Sequence, residues 1–121
     1  MAALNISQKS RAKTAAIVST TEDQEDTVYT CPANCRAHMS LLFISNHNNA
    51  ATDFEIMWDR ADGTDAFIIA GKNLGVGEFL QFSDGFIVFE PGDALKVTPS
   101  NNSTPELTTL ATVEEFFLLP G

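Results

Sequence analysis

A chain of 121 residues is long enough for one domain with a real hydrophobic core and leaves no room for a second. Hydrophobic residues make up 44% and nine are phenylalanine, which excludes a disordered chain, and no apolar run approaches the roughly 18 residues of a membrane helix. The net charge of −9 argues against nucleic acid as a partner, because an acidic body repels phosphate backbones.

The N-terminal 25 residues differ from the rest. Lys9, Arg11 and Lys13 are the only charges in residues 1–21, whereas all 16 acids lie beyond. We read residues 1–25 as an extended basic N-terminal arm and residues 26–121 as the folded domain. Two readings of the arm stand open: a solvated, frayed terminus, or an arm that docks on an acidic neighbouring subunit. No continuous apolar stretch suits a secretory signal there, so synthesis in a cytoplasm is expected.

Beyond the arm, turn chemistry recurs every 8–12 residues or so, the spacing of an all-β sandwich or barrel. The turns are Pro32-Ala33-Asn34, residues 46–52, residues 59–65, Gly71-Lys72-Asn73, Gly75-Val76-Gly77, Ser83-Asp84-Gly85, Glu90-Pro91-Gly92-Asp93 and residues 99–105. Between them the apolar period is two. Phe54, Ile56 and Trp58 alternate with Asp53, Glu55 and Asp59, and Leu95 and Val97 alternate with Lys96 and Thr98. Met39-Ser40-Leu41-Leu42-Phe43-Ile44 is apolar on both faces and predicts a central strand covered on both sides. The pattern predicts strands at about 14–19, 27–31, 36–45, 52–60, 65–70, 78–82, 85–89, 94–98 and 107–118, with 78–82 and 85–89 meeting in a hairpin or corner. No segment carries a capped 3.6-residue period. The expected fold is therefore all-β: an antiparallel β-sandwich, jelly-roll-like or Ig-like, of seven to nine strands with little helix.

The residues that carry chemistry are few. Cys31 and Cys35 flank the Pro32-Ala33-Asn34 turn at a spacing that fits neither zinc knuckles nor thioredoxin-like pairs, and only His38 and His47 are available as further ligands. The pair reads as free thiols at a turn, with a disulfide as the alternative. Asp59 to Asp65 lacks the spacing of a calcium loop, and Asp62-Gly63 more simply makes a turn. Glu114 and Glu115 point to opposite faces of a strand and cannot act on one bond. Gly71 to Gly77 lacks the lysine and helix of a phosphate loop. The expectation is therefore no catalytic, cofactor-binding or metal-binding residues, and no cofactor.

The C-terminal stretch ends in four consecutive apolar residues, Phe116, Phe117, Leu118 and Leu119. Either they form a protein–protein contact or the strand closes under a loop. With the arm, they favour a closed symmetric homo-oligomer, a trimer for preference, or a place on a larger lattice.

One ordered set of residues goes further. Tyr29, Thr30, Pro32, Ala33 and Asn34 lead into an apolar strand that ends in the Asn-rich loop 45–51. Phe89, Pro91, Gly92, Asp93, Leu95 and Val97 then precede a closing strand. Over about residues 26–119 this order resembles small β-sandwich virion structural proteins of tailed bacteriophages, from which the two cysteines and the basic arm depart. The resemblance implies a non-enzymatic particle component, decorating or cementing the capsid by bridging coat subunits. Its partners would be the major capsid protein or other virion subunits, with no nucleic acid and no membrane, and it would reside in the virion after assembly in the host bacterial cytoplasm. Lys9, Arg11, Lys13, Phe116, Phe117, Leu118 and Leu119 are the expected contact residues. The alternatives are a tail- or neck-associated structural protein, or a receptor- or glycan-binding module. The latter would use aromatics in loops, whereas Trp58 and Tyr29 fall on predicted strands.

Overall fold

The computed structural model describes residues 10–83 and 87–118. Among them are nine β-strands and no helix: β1 (Ser10–Ser19), β2 (Asp26–Thr30), β3 (Cys35–Asn46), β4 (Thr52–Asp59), β5 (Ala66–Leu74), β6 (Phe79–Phe82), β7 (Ile87–Phe89), β8 (Ala94–Ser100) and β9 (Leu107–Phe117). One sheet runs β1-β9-β3-β6, with β7 also on β3, and the other runs β2-β8-β4-β5, every pairing antiparallel. The pairs are nested. First meets last (β1 with β9), second meets second-last (β2 with β8), and so on inward to the adjacent β4 and β5. A long hairpin rolled into two packed sheets has this order, so the sandwich is a jelly roll rather than Ig-like.

The core lies between the sheets and is built from the inward half of each alternation. Phe54 and Ile56 of β4, Leu95 and Val97 of β8, Ile44 of β3 and Phe89 of β7 are fully buried. Each such side chain stabilises the fold by about 1.5–3 kcal/mol through burial. The alternation expected of β4 and β8 is the observed one. On β9, residues 107, 109, 111, 113 and 115 face in and their neighbours face out.

Several expectations are corrected. Residues 10–19 of the 1–25 segment form edge strand β1, paired along its length with β9. Gly71-Lys72-Asn73 is not a turn but part of β5. Gly71 sits at φ +63 where β5 carries an extra residue opposite β4, a bulge that uses the positive-φ freedom of glycine. β8 continues through Pro99, which pairs with Phe54; the β2 ladder stops at Val97, leaving β8 paired on one side there, where proline is tolerated. β6 and β7 do not pair with each other. Both lie along β3, β6 against residues 42–45 and β7 against 37–39, as one interrupted strand. Most of the expected 83–85 turn, Asp84 and Gly85, lies outside the described residues. Finally, β3 is central but covered on one side only among the described residues: its outward Leu41 and Phe43 are half-buried, with no strand of the described residues layered above them.

Candidate functional site

The Cys31–Cys35 turn is a junction rather than a reactive centre. The Cys35 amide donates to the Pro32 carbonyl (3.1 Å) and closes the turn. The Cys31 amide donates to Asp93 O (2.8 Å), and the Gly92 amide donates back to Cys31 O (2.9 Å). Asp93, itself buried, accepts from Trp58 Nε1 (3.0 Å), the Ala61 amide (2.9 Å) and the Glu90 amide (2.9 Å). The PANC and EPGD turns therefore form one hydrogen-bonded cluster. Both thiols are free and buried. Burial pushes the Cys31 thiol up to about 11, and it pushes Cys35 up as well. Both stay protonated at neutral pH, when a nucleophile or metal ligand needs the thiolate.

Directly beside them sits a group that sequence reasoning missed. Glu115 is fully buried, on the inward side of β9. Its Oε2 accepts from Tyr29 Oη at 2.6 Å, and its Oε1 accepts from Arg11 Nε at 2.6 Å. Tyr29 belongs to the opposite sheet and Arg11 to edge strand β1, so three strands converge on one carboxylate. Burial alone pushes the Glu115 carboxyl up. The hydrogen bonds from Tyr29 and Arg11, with the Arg11 charge, outweigh burial and hold it below the usual glutamate value. Burial and the Glu115 hydrogen bond together raise the Tyr29 hydroxyl well above its ordinary value. The arrangement is a structural tie: its oxygens are engaged on both sides, and Arg11 further lies 5.2 Å over the Phe117 ring. The signal available was parity, since Glu115 is the one charged residue on the inward half of β9.

The expected contact residues are spread over one end of the sandwich. Arg11, 53% exposed at its side chain, is spent on Glu115 and Phe117, whereas Lys13 is exposed on β1. Phe116 is half-buried on the outer face with its ring 4.7 Å from that of His38, Phe117 packs on the core, and Leu118 is exposed while its amide donates to Asn34 O (2.8 Å). Lys9 and Leu119 lie outside the described residues.

Among the described residues no three His, Cys, Asp or Glu side chains cluster as a metal would need. His47 Nε2 is bonded to Ser45 Oγ (3.0 Å). In the 59–65 loop Asp62 accepts from the Thr64 amide (2.8 Å) and Asp59 pairs with Lys96 Nζ (2.6 Å), so these carboxylates shape the turn and its surroundings. An open groove of about 500 Å³ between the ends of β5 and β6 is lined by Lys72, Glu78 and Phe79 among others, and Glu78 Oε1 is already held by the Gly75 amide (2.6 Å).

No protein-family model matches the chain. No curated protein matches it by sequence. Solved structures do share its fold. A chain of the Bacillus endospore appendages, described as disulfide-linked pili, superposes with a TM-score of 0.58 at 9% identity over 93% of this chain and 91% of that one. A chain of the acid-stable capsid of Helicobacter pylori bacteriophage KHP30 superposes with a TM-score of 0.57 at 11% identity over 94% of each. At these identities the likeness is one of fold, and it spans nearly the whole of all three chains.

Proposed function

We propose that the chain is a non-enzymatic structural subunit of a phage particle, decorating or cementing the capsid by bridging coat subunits. The observation that carries this reading is the end-to-end correspondence, 94% of each chain, with a chain of a phage capsid. The ordered turn motifs that resemble tailed-phage virion proteins support it, as does the engagement of the chain's thiols and of Glu115 in the scaffold. In this reading Lys13 and Leu118, exposed near the Glu115 tie, touch the coat, and the apolar area each copy buries on the lattice resists internal pressure. Purified particles from the source phage test it: the chain should be present in a fixed ratio to the coat protein, with density on the outer capsid surface. Absence from the capsid, or density confined to the tail or neck, overturns it.

A second reading, a subunit of a polymeric fibre, is favoured by the likeness to the endospore appendage chain. Filaments formed by the purified chain alone, in place of capsid binding, would select it.

A further inference from the structure

β1 sits at a sheet edge with β9 as its one ladder partner among the described residues. Seven of its ten residues are exposed and Ser19 alone is buried, so little apolar area holds it in place. Its joint with β9 is imperfect at the C-terminal end. The hydroxyls of Ser19 and Thr109, diagonal neighbours across the ladder, are buried without a hydrogen-bond partner. The loop that follows, residues 20–25, is exposed throughout. It is anchored by the Asp23 amide donating to Pro99 O (2.8 Å) and by Glu22 Oε2 accepting from the Asn102 amide (3.1 Å). Asp23 turns there at φ +62, a left-handed conformation that straightening the loop would release. The seat that β1 fills is nevertheless specific. Glu115 is buried and takes its counter-ion from Arg11, while Arg36 is engaged with Glu90 and Arg60 with Asp62. Left empty, the seat would hold a buried carboxylate without a cation, which is strongly unfavourable.

We propose that β1 is exchanged between copies of the chain: the β1 of one copy fills the seat on β9 of a second and receives the second copy's β1 in return, each Arg11 completing the other's Glu115 tie. Three observations point to a second copy as the occupant. The seat demands an arginine in register with Glu115, and another β1 brings it with the whole ladder from Ser10↔Phe116 to Ser19↔Leu107. The charges are complementary. Lys9, Arg11 and Lys13 are the only charges in residues 1–21, whereas the remaining hundred residues carry 16 acids against 4 bases, so a cationic strand passes onto an acidic body. Order of synthesis favours the exchange as well. β1 is the first of the nine strands to be made and β9 the last, so β1 has no ladder partner while its own copy is unfinished, and a neighbour's β9 edge is open to it. Straightened, residues 20–25 reach about 20 Å, enough to carry β1 clear of its own body. Two ladders of ten pairs then cross the contact, and the exchange closes on a two-fold axis. A copy's own β1 competes at an effective concentration on the order of 1 mM, so exchange takes over when copies fold at such crowding. The inference does not depend on the capsid reading.

Refolding of the full chain from urea at about 10 μM and at about 1 mM, followed by gel filtration at one common dilution, tests it. The dimer fraction should be about tenfold or more higher after the second, and the dimer should persist on dilution, because release needs β1 to leave its seat. Thr14 and Thr112 touch across the ladder, 3.2 Å between hydroxyls. Thr14→Cys chains refolded together with Thr112→Cys chains should therefore give, on oxidation, a disulfide between residues 14 and 112 of different copies, mapped by mass spectrometry. Deleting residues 20–25 leaves one peptide step of about 3.8 Å to cross between sheets about 10 Å apart, so β1 cannot fold back and the variant should be dimeric even at about 10 μM. If that variant fails to fold, the crosslink decides. A monomer after refolding at both concentrations, a folded but monomeric deletion variant, or dimers without the 14–112 link between copies would overturn the proposal. Failure here with particle binding intact leaves the capsid reading standing.

Discussion

Tyr29 on β2 and Glu115 on β9 meet across the interior of the sandwich, hydroxyl to carboxylate at 2.6 Å, and this bond ties the edge of one sheet to the other. Arg11 closes the same carboxylate from outside. Removing the tyrosine hydroxyl leaves a buried carboxylate oxygen without its donor and the ring in place. Tyr29→Phe should therefore destabilise the fold by about 1–3 kcal/mol, read as a lower urea midpoint at unchanged slope. A midpoint equal to the wild type would show that water replaces the hydroxyl.

The same carboxylate sets part of the acid limit. Its folded-state value lies below that of an unfolded glutamate, so its contribution is present above about 4.5, the unfolded value, and is lost as pH falls from there through the folded value. Glu115→Gln should lower stability at pH 7 and make the fall in urea midpoint below pH about 4.5 shallower than in the wild type. Identical slopes would assign acid sensitivity to the other carboxylates alone.

Gly92 holds φ +87 in the Pro91-Gly92-Asp93 turn, and a Cβ there would stand 3.1 Å from Ala61 Cβ. Gly92→Ala should cost about 1–2 kcal/mol from the left-handed backbone, plus the contact with Ala61. Adding Ala61→Gly should recover only the contact part, and thermal denaturation of the four proteins in a double-mutant cycle separates the two.

The thiols of Cys31 and Cys35 should stay silent to a thiol-specific chromogenic reagent at pH 8 in the native protein and react rapidly in urea. Burial raises both, Cys31 to about 11. Rapid labelling without denaturant would reveal opening of the PANC turn.

The strands were legible because their period was local. Phe54-x-Ile56-x-Trp58 and Leu95-x-Val97 each declare an inward face within a few residues. Gly71 and Pro99 misled for a physical reason: each is a turn residue by propensity, but a bulge absorbs the first and a one-sided ladder tolerates the second. Parity alone marks Glu115 as an inward charge on β9, but its partner is not legible, because Arg11 lies 104 residues away and the register joining them is a tertiary fact. The both-sided apolarity of β3 was read correctly as composition and wrongly as burial, since sequence does not say whether a second layer covers a face. The PANC cysteines, in contrast, read as turn-flanking thiols, spacing setting aside a zinc knuckle or redox pair while a disulfide stayed the alternative, and both are free.

Nested pairing has a consequence for synthesis. β9 stands between β1 and β3, so β1 has no ladder partner among the described residues until residues 107–117 exist. A chain emerging from the ribosome can close β4 on β5 early. Its β1-β9-β3-β6 sheet can pair β3 with β6 and β7 but cannot be completed until β9 has left the exit tunnel. Closure of that sheet then waits on β9, with the slow folding expected of non-local β pairings, and a partly made copy exposes an edge of β3 to whatever chain is being translated beside it.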